Sequence, residues 1–257
     1  MTAFKVIPRF VVDDKVISSD ATIHAPARDH QSSWLQGGGF YEQDVLWYSL
    51  IASTREQRKK FVIDVGACFG NHSVFYSKFF KGIVAVEPNP EALFYLRHTV
   101  KDCIQKNITI INSAVHDLWQ YVTICDGPNE NLGMARCVED NNDDDVGITV
   151  PDIPTSTIRN QIVRIPCQTL DNIANSYDVG LIKIDAETCS IQALRSGLET
   201  IKRYRPIVVI EATSEMERAE ITNILAPFWY SIVTIAGATP TMIGSLILNR
   251  KLNDYQS

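Results

Sequence analysis

Residues 61–77 read FVIDVGACFGNHSVFYS, and the reading of this stretch decides the fold. An apolar run, Phe61 to Ile63, ends in an acid, Asp64; two glycines follow, Gly66 and Gly70, and then a helix-like pattern. A buried strand that passes through a glycine-containing turn into a helix is the repeating unit of a parallel sheet. Ligands of such sheets sit outside the carboxyl ends of the strands, where chain order reverses, and DVGACFGN lies where that crevice begins.

Outward from this unit the pattern repeats. Strands are predicted over 61–65, 82–87, 107–112, 179–185, 206–211, 230–236 and 244–249, with helices in several of the gaps, as expected for an α/β fold with a mostly parallel seven-stranded sheet. The clearest helix starts after Asn89, which supplies a cap, with Pro90 at the first helical position and Glu91 in the first turn. Another is predicted over 188–203, ending before Pro206. The last two strands are joined by too short a connection for a helical crossover, so they pair antiparallel at one sheet edge. Between the third and fourth strands, residues 114–169 read as a β insertion: QYVTIC, MARCV and IVRIPC around the acidic loop EDNNDDDVG. Residues 1–40 read as an irregular extension with short β-prone pieces, FKVI, RFVV and KVI, broken by Pro8, the Asp13-Asp14 turn and Pro26, and closed by Gly37 to Gly39. The domain proper spans 41–257 and opens with a helix over 40–52 that places Tyr41, Val45, Tyr48 and Ala52 near one face.

Composition narrows the function classes. A formal charge of −6 gives no electrostatic reason for a polyanionic partner, so nucleic acid is not expected. Six scattered cysteines form no CxxC pair and have no histidine at zinc-ligand spacing, which fits reduced thiols in a cytoplasmic protein. No segment approaches the roughly 20 apolar residues of a membrane span, and MTAFKVIPRFVVDDK lacks a signal-peptide core.

Three nucleotide readings compete for the first loop. A phosphate-binding P-loop needs Gly-Lys-Ser/Thr, and here Gly70 is followed by Asn71 and His72. A dinucleotide fingerprint counted from Gly66 puts Cys68 where a second glycine lets pyrophosphate approach, and Asn71 in place of the third. S-adenosylmethionine brings no pyrophosphate: Asp64 can help hold its ammonium, Gly66 and Gly70 let the backbone pass close, and Glu87, ending the next strand in VEPNP, can accept from ribose hydroxyls. Dinucleotide sites share that last acid.

The fourth strand, VGLIKIDAE, carries the chemistry. Side chains two apart share a face, so Lys183, Asp185 and, if the strand extends, Glu187 gather at its carboxyl end, and a buried Lys183 needs an acidic partner, nearest Asp185. The bland reading is an ion pair that fixes the strand end.

In order, GFYEQD, FVIDVGACFGNHS, VAVEPNPEALFYL, NSAVHD, TLDNIA, LIKIDAETCSIQALRSG and RPIVVIEA resemble the FkbM family of S-adenosylmethionine-dependent methyltransferases, over most of residues 39–212. The resemblance implies a Rossmann-like class I methyltransferase that O-methylates a sugar, glycolipid or secondary metabolite. By position it implies that Asp64, Gly66, Ala67, Gly70 and Asn71 line the amino acid end of the cofactor, Glu87 the ribose, and Ser113 with Ala114 the adenine. Lys183, Asp185 and Glu187 then face the methyl group or the acceptor. Two positions depart from the family pattern: Thr188 stands where glycine is usual, and Cys68 where asparagine is common.

For an alcohol acceptor, Asp185 is the first candidate for general base, with Lys183 setting its charge or, if neutral, replacing it; His72, at the start of the helix after the loop, is the rival. A Mg²⁺ set of Asp185, Glu187 and Glu211 ranks below ion pairing, and no metal is expected. Asn131 and Gly133 are candidates for the acceptor pocket, and Trp34, Phe40 and Tyr41 either form a lid or pack the extension on the core. The alternatives are a nicotinamide-dependent oxidoreductase and a non-catalytic binding module of the same fold.

Overall fold

The computed structural model describes residues 1–6, 9–12, 15–18, 21–27, 29–125, 132, 135–139, 164–237 and 240–246, with 9–12, 15–18, 125, 136 and 246 described in backbone alone. The amino-terminal region folds its β-prone pieces into paired strands rather than an irregular extension. It forms β1 (Thr2–Val6), β2 (Arg9–Val12), β3 (Lys15–Ser18) and β4 (Ala21–Ala25), then α1 (His30–Gln36). β1 pairs antiparallel with β4, and β2 with β3. The strands are too short to be stable alone; β4 packs on the long helix that follows Asn89, burying Phe4, Val6, Ile23 and Ala25, and His24 Nε2 lies 2.8 Å from Asp102 Oδ2. That long-range burial is invisible in the local pattern.

Next come α2 (Gln43–Ala52) and α3 (Arg55–Arg58). α2 buries Val45, Leu46, Ser49 and Leu50, whereas Tyr48 is exposed, so the face predicted from Tyr41, Val45, Tyr48 and Ala52 is displaced. The cause is tertiary: α2 lies against the last strands of the sheet, and Ser49 Oγ meets the buried Tyr76 hydroxyl at 2.9 Å.

The core follows as β5 (Phe61–Val65), α4 (Asn71–Tyr76), β6 (Gly82–Val86), α5 (Pro90–Asp102) and β7 (Ile108–Ile111). The insertion supplies β8 (Ala114–Val115), β9 (Tyr121–Cys125), β10 (Arg136–Glu139) and β11 (Arg164–Gln168), a small sheet in the order β10-β9-β11-β8. The chain returns through α6 (Leu170–Ala174), β12 (Val179–Ile184), α7 (Ser190–Arg195), α8 (Leu198–Tyr204), β13 (Ile207–Glu211), α9 (Glu215–Leu225), β14 (Tyr230–Ala236) and β15 (Thr241–Leu246). The predicted helix over 188–203 is thus two. At the break stands Gly197, where a Cβ would lie 2.3 Å from the Leu170 side chain.

The main sheet has seven strands in the order β14-β15-β13-β12-β5-β6-β7, parallel except for β15, which runs antiparallel to both neighbours. β15 begins at Thr241 rather than 244, and it sits inside the sheet while β14 takes the edge. Successive residues face opposite layers: Val62 and Leu181 pack with α2, α4 and α5, while Ile63 and Ile182 pack with α6 to α9. Order reverses between β5 and β12, the place where open parallel sheets hold ligands.

The turns at that reversal use left-handed backbone. Gly66 has φ +74, and a Cβ there would lie 1.8 Å from the Asp185 carbonyl oxygen. Cys68 (φ 49) and Thr188 (φ 66) also take positive φ, unusual for residues with a Cβ. Both positions that depart from the family pattern therefore adopt a conformation suited to glycine or asparagine; the turn after β12 keeps a left-handed residue without glycine.

Opposite outcomes are expected from thermal melts of two variants. Gly66→Ala should lose more than about 2 kcal/mol, because a backbone clash is added to strain. Thr188→Gly should melt at or above wild type, because relief of a left-handed residue offsets the entropy glycine adds to the unfolded chain.

Candidate functional site

At the carboxyl ends of β5, β6 and β12 the chain encloses an open crevice of about 870 Å³. Its floor is built from an ion cluster. β12 and β5 are paired with Lys183 opposite Asp64, on the layer that α4 covers. Lys183 Nζ lies 3.4 Å from Asp64 Oδ1 and 3.2 Å from Asp185 Oδ2, and donates to the Gly66 carbonyl at 2.9 Å. Asp64, wholly buried, accepts from Ser73 Oγ of α4 at 2.6 Å. Burial alone would depress the Lys183 ammonium, but Asp185, Asp64 and Glu42 outweigh it and hold the group well above its ordinary value. Lys183 is thus a fixed cation, and the option of a neutral lysine base is removed.

Asp185 follows β12 and opens on the crevice with 31% of its side chain exposed. Burial would raise its carboxyl; Lys183 and a hydrogen bond with Glu211 overcome this and keep it below the ordinary value. Glu211, at the end of β13, is pushed up to about 9 by burial and by the Asp185 charge, so it is protonated at neutral pH and donates to Asp185. Glu187 lines the crevice beyond the strand end.

The first loop forms the opposite wall. Gly66, Ala67, Cys68, Asn71 and His72 line the crevice, whereas Asp64 and Gly70 stand behind it. Gly70 is explained by packing: its φ of +88 begins α4, and a Cβ would lie 2.8 Å from Leu96. Asn71 is committed to protein, since its Oδ1 accepts from Tyr41 N and its Nδ2 donates to Tyr41 O, both at 3.0 Å. His72 Nε2 faces the Glu42 carboxylate at 3.4 Å, and its Nδ1 faces Asn71 Nδ2 at 3.5 Å. With both ring nitrogens directed at protein groups, His72 is poorly placed to take a proton from a ligand.

Glu87 lies at the end of β6. Its Oε2 accepts from Cys68 N and its Oε1 from Asn89 N, both at 2.8 Å, which leaves each oxygen further acceptor capacity toward the crevice. Burial raises its carboxyl to about 7, against those two hydrogen bonds. Asn89 caps α5 through Oδ1, but its Nδ2 is buried on the crevice wall with no partner. An orphaned donor beside a carboxylate suits a ribose or purine edge, and sequence reasoning, which read Asn89 only as a cap, missed it. Ser113 and Ala114 line the same end; the Ser113 hydroxyl is engaged with the carbonyls of Ala114 and Pro166.

The insertion supplies an apolar wall of Val122, Ile124, Leu132 and Cys137, with His116 stacked on Trp119 at 3.9 Å. His116 Nδ1 accepts from Leu118 N and Trp119 N, so its proton is on Nε2, and burial holds the ring below its ordinary value against the Asp117 and Glu139 charges. His116 lies in the NSAVHD segment, but the sequence assigned neither it nor Trp119 a role. Asn131, Gly133 and the acidic loop beyond Glu139 lie outside the described residues. Phe40 is buried against Phe75, and Trp34 is exposed beside Tyr41; among the aminoterminal residues Gln31 lines the crevice. Among the described residues, no three His, Cys, Asp or Glu side chains form a metal-ligand group.

A pH series tests the carboxyl pair. Folded Glu211 keeps a proton that the unfolded chain releases above about 4.5, so stability falls as pH rises from there towards about 9. Glu211→Gln should flatten that decline in melting temperature; a slope equal to wild type would contradict the assignment.

Residues 64–234 match the Methyltransferase FkbM domain. A crystal structure of Methyltransferase FkbM from Methylobacillus flagellatus KT superposes with a TM-score of 0.50 at 16% identity, covering 73% of this chain and 43% of that one, so the chain spans under half of that protein's length. Aeropyrum pernix fibrillarin with natively bound S-adenosyl-L-methionine (TM-score 0.43, 12% identity, 80% and 74% of the two chains) is also similar. So is SMU.1697c, a putative methyltransferase from Streptococcus mutans in complex with SAH (0.42, 11%, 79% and 94%). No curated protein matches significantly. The chain belongs to the FkbM methyltransferase family and has the Rossmann-like fold of class I S-adenosylmethionine-dependent methyltransferases.

Proposed function

We propose that the protein transfers a methyl group from S-adenosylmethionine to a hydroxyl of a small-molecule or glycan acceptor: a sugar, glycolipid or secondary metabolite. The observation that carries the cofactor is the charge of the crevice. Lys183 is the one lysine or arginine among its described lining residues, and it is consumed by Asp64, Asp185 and the Gly66 carbonyl; Glu87, Asp185 and Glu187 line the remainder. Such a site favours a sulfonium cation and disfavours a pyrophosphate, which also meets the Cys68 side chain on the left-handed loop. This argues against the nicotinamide reading. The turn after Glu187, whose departure from the family pattern would favour a non-catalytic module, keeps a left-handed residue in Thr188.

The donor set fits: Glu87 and Asn89 Nδ2 for the ribose and purine, Gly66 to Cys68 for close backbone approach. When bound, the cofactor supplies an electrophilic methyl group. The chain's own part is alignment, which supplies roughly 7–11 kcal/mol in favourable cases, and removal of the hydroxyl proton. Asp185 is the base: it stays ionised beside Lys183 and opens on the crevice, where its carboxylate takes the hydroxyl proton. The division into an extension, 1–40, and a methyltransferase domain, 41–257, and a cytoplasmic location belong to this proposal. Among the described residues no helix is long and apolar enough to cross a membrane.

Calorimetry with S-adenosylhomocysteine and NAD tests the cofactor. The first should bind, more tightly at pH 8 than at pH 6 as the Glu87 carboxyl, raised to about 7, ionises, and Glu87→Gln should remove that dependence. NAD binding without S-adenosylhomocysteine binding would refute it. With labelled S-adenosylmethionine and a panel of hydroxylated acceptors, Asp185→Asn should lower kcat by about 10²–10⁴-fold with cofactor affinity little changed; undiminished methylation would end its role as base.

A further inference from the structure

We propose that Glu42, which precedes the 64–234 segment carrying the family match, is a positioning residue of the methyl-transfer site that acts by fixing the His72 imidazole. The methyl-transfer part rests on the function proposed above; the fixing of the ring rests on geometry alone.

The Asn71 carboxamide has one orientation. Tyr41 N donates to its Oδ1 and its Nδ2 donates to Tyr41 O, so the amide cannot be turned over without breaking both bonds. The Nδ2 group aimed at His72 Nδ1 is therefore a donor, and Nδ1 must be the unprotonated acceptor. The ring proton then sits on Nε2. That atom is buried, has no hydrogen-bond partner, and faces the Glu42 carboxylate at 3.4 Å, with only 7% of either side chain exposed. Contacts of this kind are often long before a ligand arrives and tighten in the complex.

Glu42 reaches this place through unusual backbone. It has φ 53 and ψ 49 as the residue before α2, a conformation a glutamate rarely adopts. The Tyr41 backbone is bolted to Asn71, so Glu42 is delivered to the loop by a segment already clipped to it. Its carboxylate also supports the charge on Lys183, so one side chain braces both the first loop and the cation under Asp185. The charged groups that bear on this corner are Glu42, Lys183 and Asp185. Without Glu42 the ring is free to turn and the loop from Cys68 to His72 loses its brace.

Nitrogen-resolved NMR of the imidazoles in the full chain reads the tautomer directly, and calorimetry with S-adenosylhomocysteine reads the site. Wild type should show His72 with Nε2 protonated and Nδ1 bare, and Glu42→Gln, which keeps an oxygen acceptor, should retain that pattern. Glu42→Gly suits the backbone at φ 53, so it should keep a single cooperative melt, yet show a mixed or altered His72 pattern and roughly ten-fold weaker cofactor-product binding. A proton on Nδ1 in wild type overturns the proposal, as does a Glu42→Gly protein with wild-type spectrum or wild-type affinity. If wild type binds no S-adenosylhomocysteine, the cofactor reading fails separately, while the spectrum still decides whether Glu42 fixes His72.

Discussion

The ammonium of Lys183, buried between two central strands, is the interaction on which the rest depends. Its partners come from both sides of the sheet reversal: Asp64 and the Gly66 carbonyl from β5 and its loop, Asp185 from β12. Burying each of these ions costs several kcal/mol, and mutual attraction with good hydrogen bonding must return it. The cluster therefore holds the two strands in one register, sets the position of the first loop, and leaves Asp185 ionised where the crevice opens. A fold with apolar residues in place of both Lys183 and Asp64 could be as stable, but it would leave no reason for Asp185 to remain a charged acceptor at the strand end.

Backbone conformation completes the arrangement. Gly66 is required because β12 turns away directly against it, at a distance no Cβ permits. Around it, Glu42, Cys68 and Thr188 occupy left-handed conformations despite their side chains. Strain of this sort persists where surrounding structure over-determines it. Here the surroundings are the Lys183 cluster, the Tyr41–Asn71 clip and the Glu87 carboxylate, which takes the Cys68 amide.

Much of this was legible in the chain. The apolar runs of β5, β6 and β12 marked buried parallel strands, and period two brought Lys183 and Asp185 to one face. Asp64 as a second partner was not legible, because it depends on the register between strands far apart in sequence. The same holds for the packing of β4 on α5, which together with the burial of Phe4, Val6 and Ile23 holds the β-prone pieces of the extension as paired strands. Asn89 and His116 were missed for another reason: a capping asparagine and a lone histidine look alike whether or not they edge a cavity. The break at Gly197 reflects a neighbour, Leu170, that no window on the helix contains.

The crevice thus owes its chemistry to the balance of one committed cation against several carboxylates. A double-mutant cycle on Lys183→Met and Asp64→Asn, read by urea unfolding, tests that balance most directly. Lys183→Met alone should cost about 3–5 kcal/mol, and the double variant should recover more than about 1 kcal/mol relative to the sum of the single losses, because the stranded charge is removed with its partner. Additivity within about 0.5 kcal/mol would show that Lys183 and Asp64 do not depend on each other, and would contradict the account.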